Sequence, residues 1–192
     1  MSKILEQLYP ALGLGAVLAV IVLFALHGQA FDAGYLAVFV RYLHVLAGIL
    51  WIGLLWYFNF VQIPTMPKVP AELKPGVSKF IAPEALFWFR WSALATVLFG
   101  LVLAHLNGYL GPALSFQPAF RLIGTGMWLG LIMCANVWFI IWPNQKRALG
   151  LVEADADSKA KSARTAMLAS RTNFVLSLPM LYAMSTFQSL PA

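Results

Sequence analysis

Arg41-Tyr42-Leu43-His44-Val45-Leu46-Ala47-Gly48-Ile49-Leu50-Trp51-Ile52-Gly53 lies inside an apolar run from Tyr35 to Ile63. A hydrocarbon core about 30 Å thick is crossed by roughly 20 apolar residues in a helix. This run is long enough. A guanidinium and an imidazole inside such a helix are costly to insert and rarely face lipid, so they mark a functional site. Arg41 stands one helical turn before His44, on about the same face. What His44 meets decides what the protein does.

Composition places the whole chain in that setting. Of its 192 residues 61% are hydrophobic and only 10% charged, against about 25% charged in an ordinary soluble domain. These values identify an integral membrane protein, read as a single transmembrane helical domain over 1–192. The net charge of +6 is then a question of loop placement rather than of nucleic acid. Cys134 is the one cysteine, so no intrachain disulfide is available. The run from Tyr9 to Leu26 is too long for a signal-peptide core and lacks a cleavage pattern after it, so it reads as a retained helix.

Five apolar segments follow in order, at about 9–27, 36–62, 85–110, 120–142 and 166–187. None shows the alternation of a barrel strand, so the fold is an all-α bundle of five transmembrane helices. Gly13 and Gly15 in the first and Gly126 and Gly130 in the fourth suit close helix contact. Pro64, Pro67, Pro70, Pro75 and Pro83 mark an ordered or extended surface loop. The stretch 148–165 reads as a water-exposed helix leading into the fifth span, which Pro179 should kink.

Cations set the orientation. Lys3, Lys68, Lys74, Lys79, Lys146, Arg147, Lys159, Lys161 and Arg164 fall on one side of a five-span chain; Arg41 and Arg121 fall on the other. The positive-inside rule then predicts a bacterial inner-membrane protein with a cytoplasmic N-terminus and a periplasmic C-terminus.

On that topology His27, His44 and His105 all lie toward the outer face. His44 is roughly 12 Å into the second helix and His105 roughly 8 Å from the end of the third, at 1.5 Å per residue. Two imidazoles at matched depth on antiparallel helices are what a haem b iron needs as axial ligands. Arg41 and Arg121 would pair with the propionates, although both also suit snorkelling to the interface. Gly48, Trp51 and Gly100 would suit a flat macrocycle. His27, beside Gly28 and Gln29, reads as an interfacial residue. Zinc and copper fit less well, because no cysteine or carboxylate lies among the histidines. Nearer the inner side, Asn59, Arg90, Asn136, Asn144, Arg171 and Asn173 would either converge on an anionic or amide-rich molecule or tie helix ends together. No nucleophile–base pair is apparent.

Arg41 to Gly53 resembles the Leu-His-x-x-Ala-Gly-Ile-x-Trp-Ile-Gly helix of the urate oxidase N-terminal domain family, the membrane part of bacterial cytochrome-linked urate hydroxylases. Three further stretches resemble it: Ala82-Pro83-Glu84 with Phe87-Trp88-Phe89-Arg90-Trp91, Ala135-Asn136-Val137 through Lys146, and Ser170-Arg171-Thr172-Asn173 through Leu181. The chain departs from the longer members at Ser92, at Arg171-Thr172-Asn173-Phe174 and at Ser185-Thr186-Phe187-Gln188. It has no Cys-x-x-Cys-His motif, as a short variant without a cytochrome c domain would.

The resemblance implies a membrane redox role. Three functions stand. The first is a haem b protein ligated by His44 and His105, transferring electrons or serving as an accessory subunit beside other membrane subunits. The second is a urate hydroxylase-like oxidoreductase that passes electrons to a separate cytochrome c, with Arg90, Asn136, Arg171 and Asn173 on the purine. The third is a cofactor-free structural subunit. The bilayer is the partner common to all three, and none involves nucleic acid.

Overall fold

A computed structural model describes residues 2–27 and 33–187; Gly28, Gln29 and Gln188 lie outside the described residues. The described residues form helices and turns without a strand. The principal elements are α1 (Leu8–His27), α2 (Ala33–Tyr57), α3 (Ala82–Leu106), the short α4 (Leu110–Leu114), α5 (Arg121–Asn136) and α6 (Ala156–Thr186). The chain divides into two compact units, Met1–Phe39 and Val40–Ala192. The first holds α1 and the start of α2. The second holds the rest, including all the groups discussed below.

Among the described residues, four helical runs are long and apolar enough to cross a membrane: Leu8–Leu26, Gly34–Lys68, Lys74–Leu106 and Pro118–Ala148. The expected fifth segment, 166–187, is helical through Thr186 but is not among them. Ser170, Arg171, Thr172, Asn173 and Ser177 dilute its apolar character. Pro179 lies inside that continuous helix.

The proline-rich stretch after α2 is not extended. It forms helical turns at Ile63–Thr65, Met66–Lys68 and Lys74–Gly76, each with a proline at its first or second position. A fixed φ near −65° and a missing N–H are tolerated at a helix start, where that N–H has no intrahelical partner. Helix α3 ends at Leu106, short of the expected residue 110, because Gly108 takes φ +74°, which a side chain would oppose. The expected helix over 148–165 starts only at Ala156. Gly150 turns the chain at φ +73°, and Asp155 then caps α6 by accepting from the Ser158 amide at 2.8 Å.

Three π-turns punctuate these helices: Phe58–Gln62, Val77–Ile81 and Val137–Ile141. Each stands just ahead of a proline, at Pro64, Pro83 and Pro143. A helical proline crowds the carbonyl four residues before it, and a widened turn relieves the crowding. The π-turns also set two amides. Asn59 lies within the first, and Asn136 immediately precedes the third.

In the second unit α5 packs against both α3 and α6, and α6 reaches the π-turn of α2. His44 ties α2 to α3. The four helices therefore close a ring in which α3 and α6 stand across from one another. Its main core joins Trp51, Leu55, Phe58, Phe89, Met133, Val137, Ile141 and Met180 from all four. In a lipid environment such packing, with close approach at small residues, holds helices together. Gly126 of the expected Gly126/Gly130 pair supplies one approach: an added Cβ there would lie 3.1 Å from the Ala183 methyl.

Candidate functional site: a cavity beside His44

Between α2, α3, α5 and α6 the second unit forms a partly open cavity of about 600 Å³, within the range of small-molecule and cofactor sites. Its walls are almost wholly apolar, and few polar side chains reach it. Helix α2 supplies Arg41, His44 and Trp51 from one face, with Gly48 between them. Residues three, four and seven apart share a helical face, so the sequence spacing alone aligns these four.

His44 is the best-defined polar group. Its Nδ1 lies 2.8 Å from the Thr96 carbonyl oxygen of α3. A carbonyl only accepts, so Nδ1 carries the proton and Nε2 keeps its lone pair. A β-carbon at Gly100 would stand 2.9 Å from His44 Cε1 and 3.0 Å from Nδ1, but 3.8 Å from Nε2. The glycine gives the ring its seat against α3, and Nε2 is the nitrogen farther from it. Nε2 has no hydrogen-bond partner among the described residues. A ring whose N–H is held by a backbone carbonyl and whose other nitrogen faces an apolar space is oriented as a metal ligand.

Deeper on the same face, Trp51 is 1% exposed, and its indole N–H has no partner. At the other end Arg41 lines the cavity beside Tyr109. Burial raises the Tyr109 phenol above its ordinary pKa, opposed by the charge of Arg41.

The other expected ligands lie elsewhere. His105 is exposed and does not line the cavity. It shares the outward face of α3 with Phe87, Trp91, Leu98 and Val102, all exposed. Thr96, Gly100 and Ala104 occupy the inward face. His44 therefore lines the cavity without His105. Arg121 is also exposed and away from the cavity, which leaves Arg41 as the cation at the site. Side-chain detail at His27 lies outside the described residues. Among the described residues no three His, Cys, Asp or Glu side chains converge as ligands for a bare metal ion.

The inner polar residues separate in the same way. Asn136 Nδ2 donates to Asn173 Oδ1 at 2.7 Å and to the Ala169 carbonyl at 3.0 Å. Asn173 Nδ2 donates to the Met133 carbonyl at 2.9 Å, and this residue is fully buried. Asn59 Nδ2 donates to Ser170 Oγ at 3.1 Å. Trp56 Nε1 donates to Ser177 Oγ at 3.2 Å. Arg171 is exposed, because residues two apart on a helix face opposite sides and Asn173 faces inward. The Arg90 guanidinium carbon lies 3.9 Å from the centre of the Trp142 ring, a cation–π contact. These amides thus brace α6 against α2 and α5, and the two arginines do not join them.

Residues 111–188 match the urate oxidase N-terminal family. The matched part covers α4, α5 and α6, and so the two helices that close the cavity opposite α2 and α3. It includes the Asn136–Asn173 pair. No curated protein and no solved structure matches the chain. Arg41–Gly53, the stretch that carries His44, precedes the matched residues.

Sequence reading missed Met127, Met180 and Met184 as cavity-lining residues, since a methionine in an apolar helix carries no local signal. The role of Thr96 was equally hidden. It acts through its backbone carbonyl, which any residue possesses.

Proposed function

We propose that this chain is a membrane haem b protein, related to the membrane part of urate hydroxylases, in which His44 Nε2 ligates the iron. One observation carries the reading. Nδ1 is held on the Thr96 carbonyl, and Gly100 leaves room for the ring, so Nε2 addresses an apolar cavity of about 600 Å³. A flat, largely apolar macrocycle fits such walls, and its anionic edge fits Arg41 at the Tyr109 end. When bound, haem supplies a one-electron iron couple. The protein's own residues do the rest: Thr96 fixes the tautomer of His44, the guanidinium at Arg41 offsets carboxylate charge, and the apolar walls keep water out.

In this reading α6 is the fifth span despite its polar residues. Asn173, Ser170 and Ser177 are buried against other helices, and Arg171 lies near its inner end. The bundle sits in the bacterial inner membrane with a cytoplasmic N-terminus and a periplasmic C-terminus, which puts the cavity in the outer half. Electron transfer within a larger membrane complex, or to a cytochrome c, is the function that follows.

The match over residues 111–188 favours a second reading, a urate hydroxylase-like oxidoreductase passing electrons to a separate cytochrome c. A purine would then occupy the cavity rather than the Asn136–Asn173 pair, whose donors are already committed. The two readings are separated by purifying the protein in detergent. A haem signal that disappears in His44→Ala supports the first. Urate turnover by haem-free protein would replace it.

A further inference from the structure

We infer that the iron's second axial ligand is the thioether of Met184, so that the site is His/Met rather than bis-histidine. This rests on the haem reading above.

The cavity wall itself narrows the choice. His105 is turned outward, and the side chains of iron-ligating type on the wall besides His44 are Tyr109, at the Arg41 end, and Met127, Met180 and Met184. Thioether sulfur is an established axial partner of imidazole on haem. Nδ1 of His44 bonds α3, so Nε2 points away from the Thr96 carbonyl, at a cavity that α6 also lines.

Helix register gives the level. Asn59 of α2 bonds Ser170 of α6. Counting outward from Asn59 to His44, and by the same number of residues from Ser170, arrives at Ser185, next to Met184. Packing separates the three methionines further. Met180 is buried in the main core cluster and Met127 in the smaller one with Ala104, Ala113 and Ile123. Met184 is only partly buried and packs against both clusters. Its side chain lies along Gly126, where an added Cβ would meet Cε at 3.3 Å and Cγ at 3.4 Å. Without a Cβ at 126 the thioether lies close to the α5 backbone. An unbranched side chain with three rotatable bonds adjusts readily from there.

Ligation by sulfur in place of a second nitrogen has measurable consequences. It raises the reduction potential and gives ferric haem a weak sulfur-to-iron charge-transfer band in the near infrared. The test uses haem-loaded wild-type protein and the variants Met184→Leu, Met180→Leu and Met127→Leu, since Leu for Met nearly conserves volume. Magnetic circular dichroism of the ferric form and carbon monoxide binding to the ferrous form are recorded. We expect the band in wild type and its loss only in Met184→Leu, together with a lower midpoint potential and new carbon monoxide binding. Haem-loaded wild type without the band overturns the methionine ligand and leaves the haem reading intact. So does a Met184→Leu protein that keeps the band. Should Met184→Leu not fold, the wild-type spectrum still decides. Folded wild type that takes up no haem overturns both.

Discussion

The two halves of the four-helix ring use polar groups in opposite ways. In the inner half Asn59, Asn136, Asn173, Ser170 and Ser177 bond one another or helix carbonyls and clamp α6 in place. In the outer half the cavity-lining groups are few, and two of them, His44 Nε2 and Trp51 Nε1, have no protein hydrogen-bond partner. A buried polar group without a partner costs free energy comparable to a lost hydrogen bond. The amides at one end commit their N–H groups to the bundle, with the Asn59 and Asn136 carbonyl oxygens buried and unpartnered, whereas the groups at the other end stand beside open space. The amide end builds the bundle, and the cavity end keeps, in the proposed reading, space and ligand atoms for a guest.

Substitutions break or sharpen that contrast. The largest effect belongs to the outer half without unfolding it. His44→Ala should remove haem binding entirely while the helical circular dichroism stays at the wild-type level. Gly100→Leu should do nearly the same by occupying the seat of the imidazole, read as pigment per folded protein. In the inner half the reverse holds. Asn173→Ala leaves the Asn136 amide and the Met133 carbonyl short of a partner, and we expect a loss of about 1–3 kcal/mol in detergent unfolding. Haem content per folded molecule should be unchanged.

Smaller effects follow. Arg90→Ala removes the stack on Trp142 and should cost about 0.5–2 kcal/mol in the same assay. His105→Ala and Arg171→Ala, both on exposed faces, should stay within about 0.5 kcal/mol of wild type. The smallest is a pH effect at the start of α6. Hydrogen bonds from the Ser158 amide and hydroxyl hold the Asp155 carboxyl below its ordinary pKa. Its cap is therefore in place above the ordinary carboxylate value of about 3.9 and is lost as pH falls through the lower folded value. The protection factor of the Ser158 amide, its exchange relative to the unstructured rate at the same pH, should fall over that acidic window in wild type, and Asp155→Ala should remove that change.

Much of this was legible from the chain, for reasons that differ by residue. The spacing of Arg41, His44, Gly48 and Trp51 fixes a shared face of one helix and needs no partner to be read. The helix-forming runs follow from length and apolarity. What sequence did not fix was rotation of one helix relative to another. His105 and Gly100 are five residues apart on α3, and nothing local says which of the two turns inward. Residues Phe87, Trp91, Leu98 and Val102, which share a face with His105, form a large apolar stripe that suits lipid, whereas Ala93, Thr96, Gly100 and Ala104 form a small one that admits a neighbour. Residue size along the helix was thus the available clue. Arg171 and Asn173 were separable by the same wheel, since they sit two apart. The helical turns of residues 63–81 were masked by their prolines, which open helices as readily as they end them.

The most direct test is a dithionite-reduced minus oxidised absorption spectrum, with pyridine haemochrome, of purified wild type, His44→Ala and His105→Ala. A b-type signal present in wild type and in His105→Ala but absent from His44→Ala is the expected result. Folded wild-type protein without haem, or a signal lost equally in His105→Ala, would contradict the cavity as the haem site.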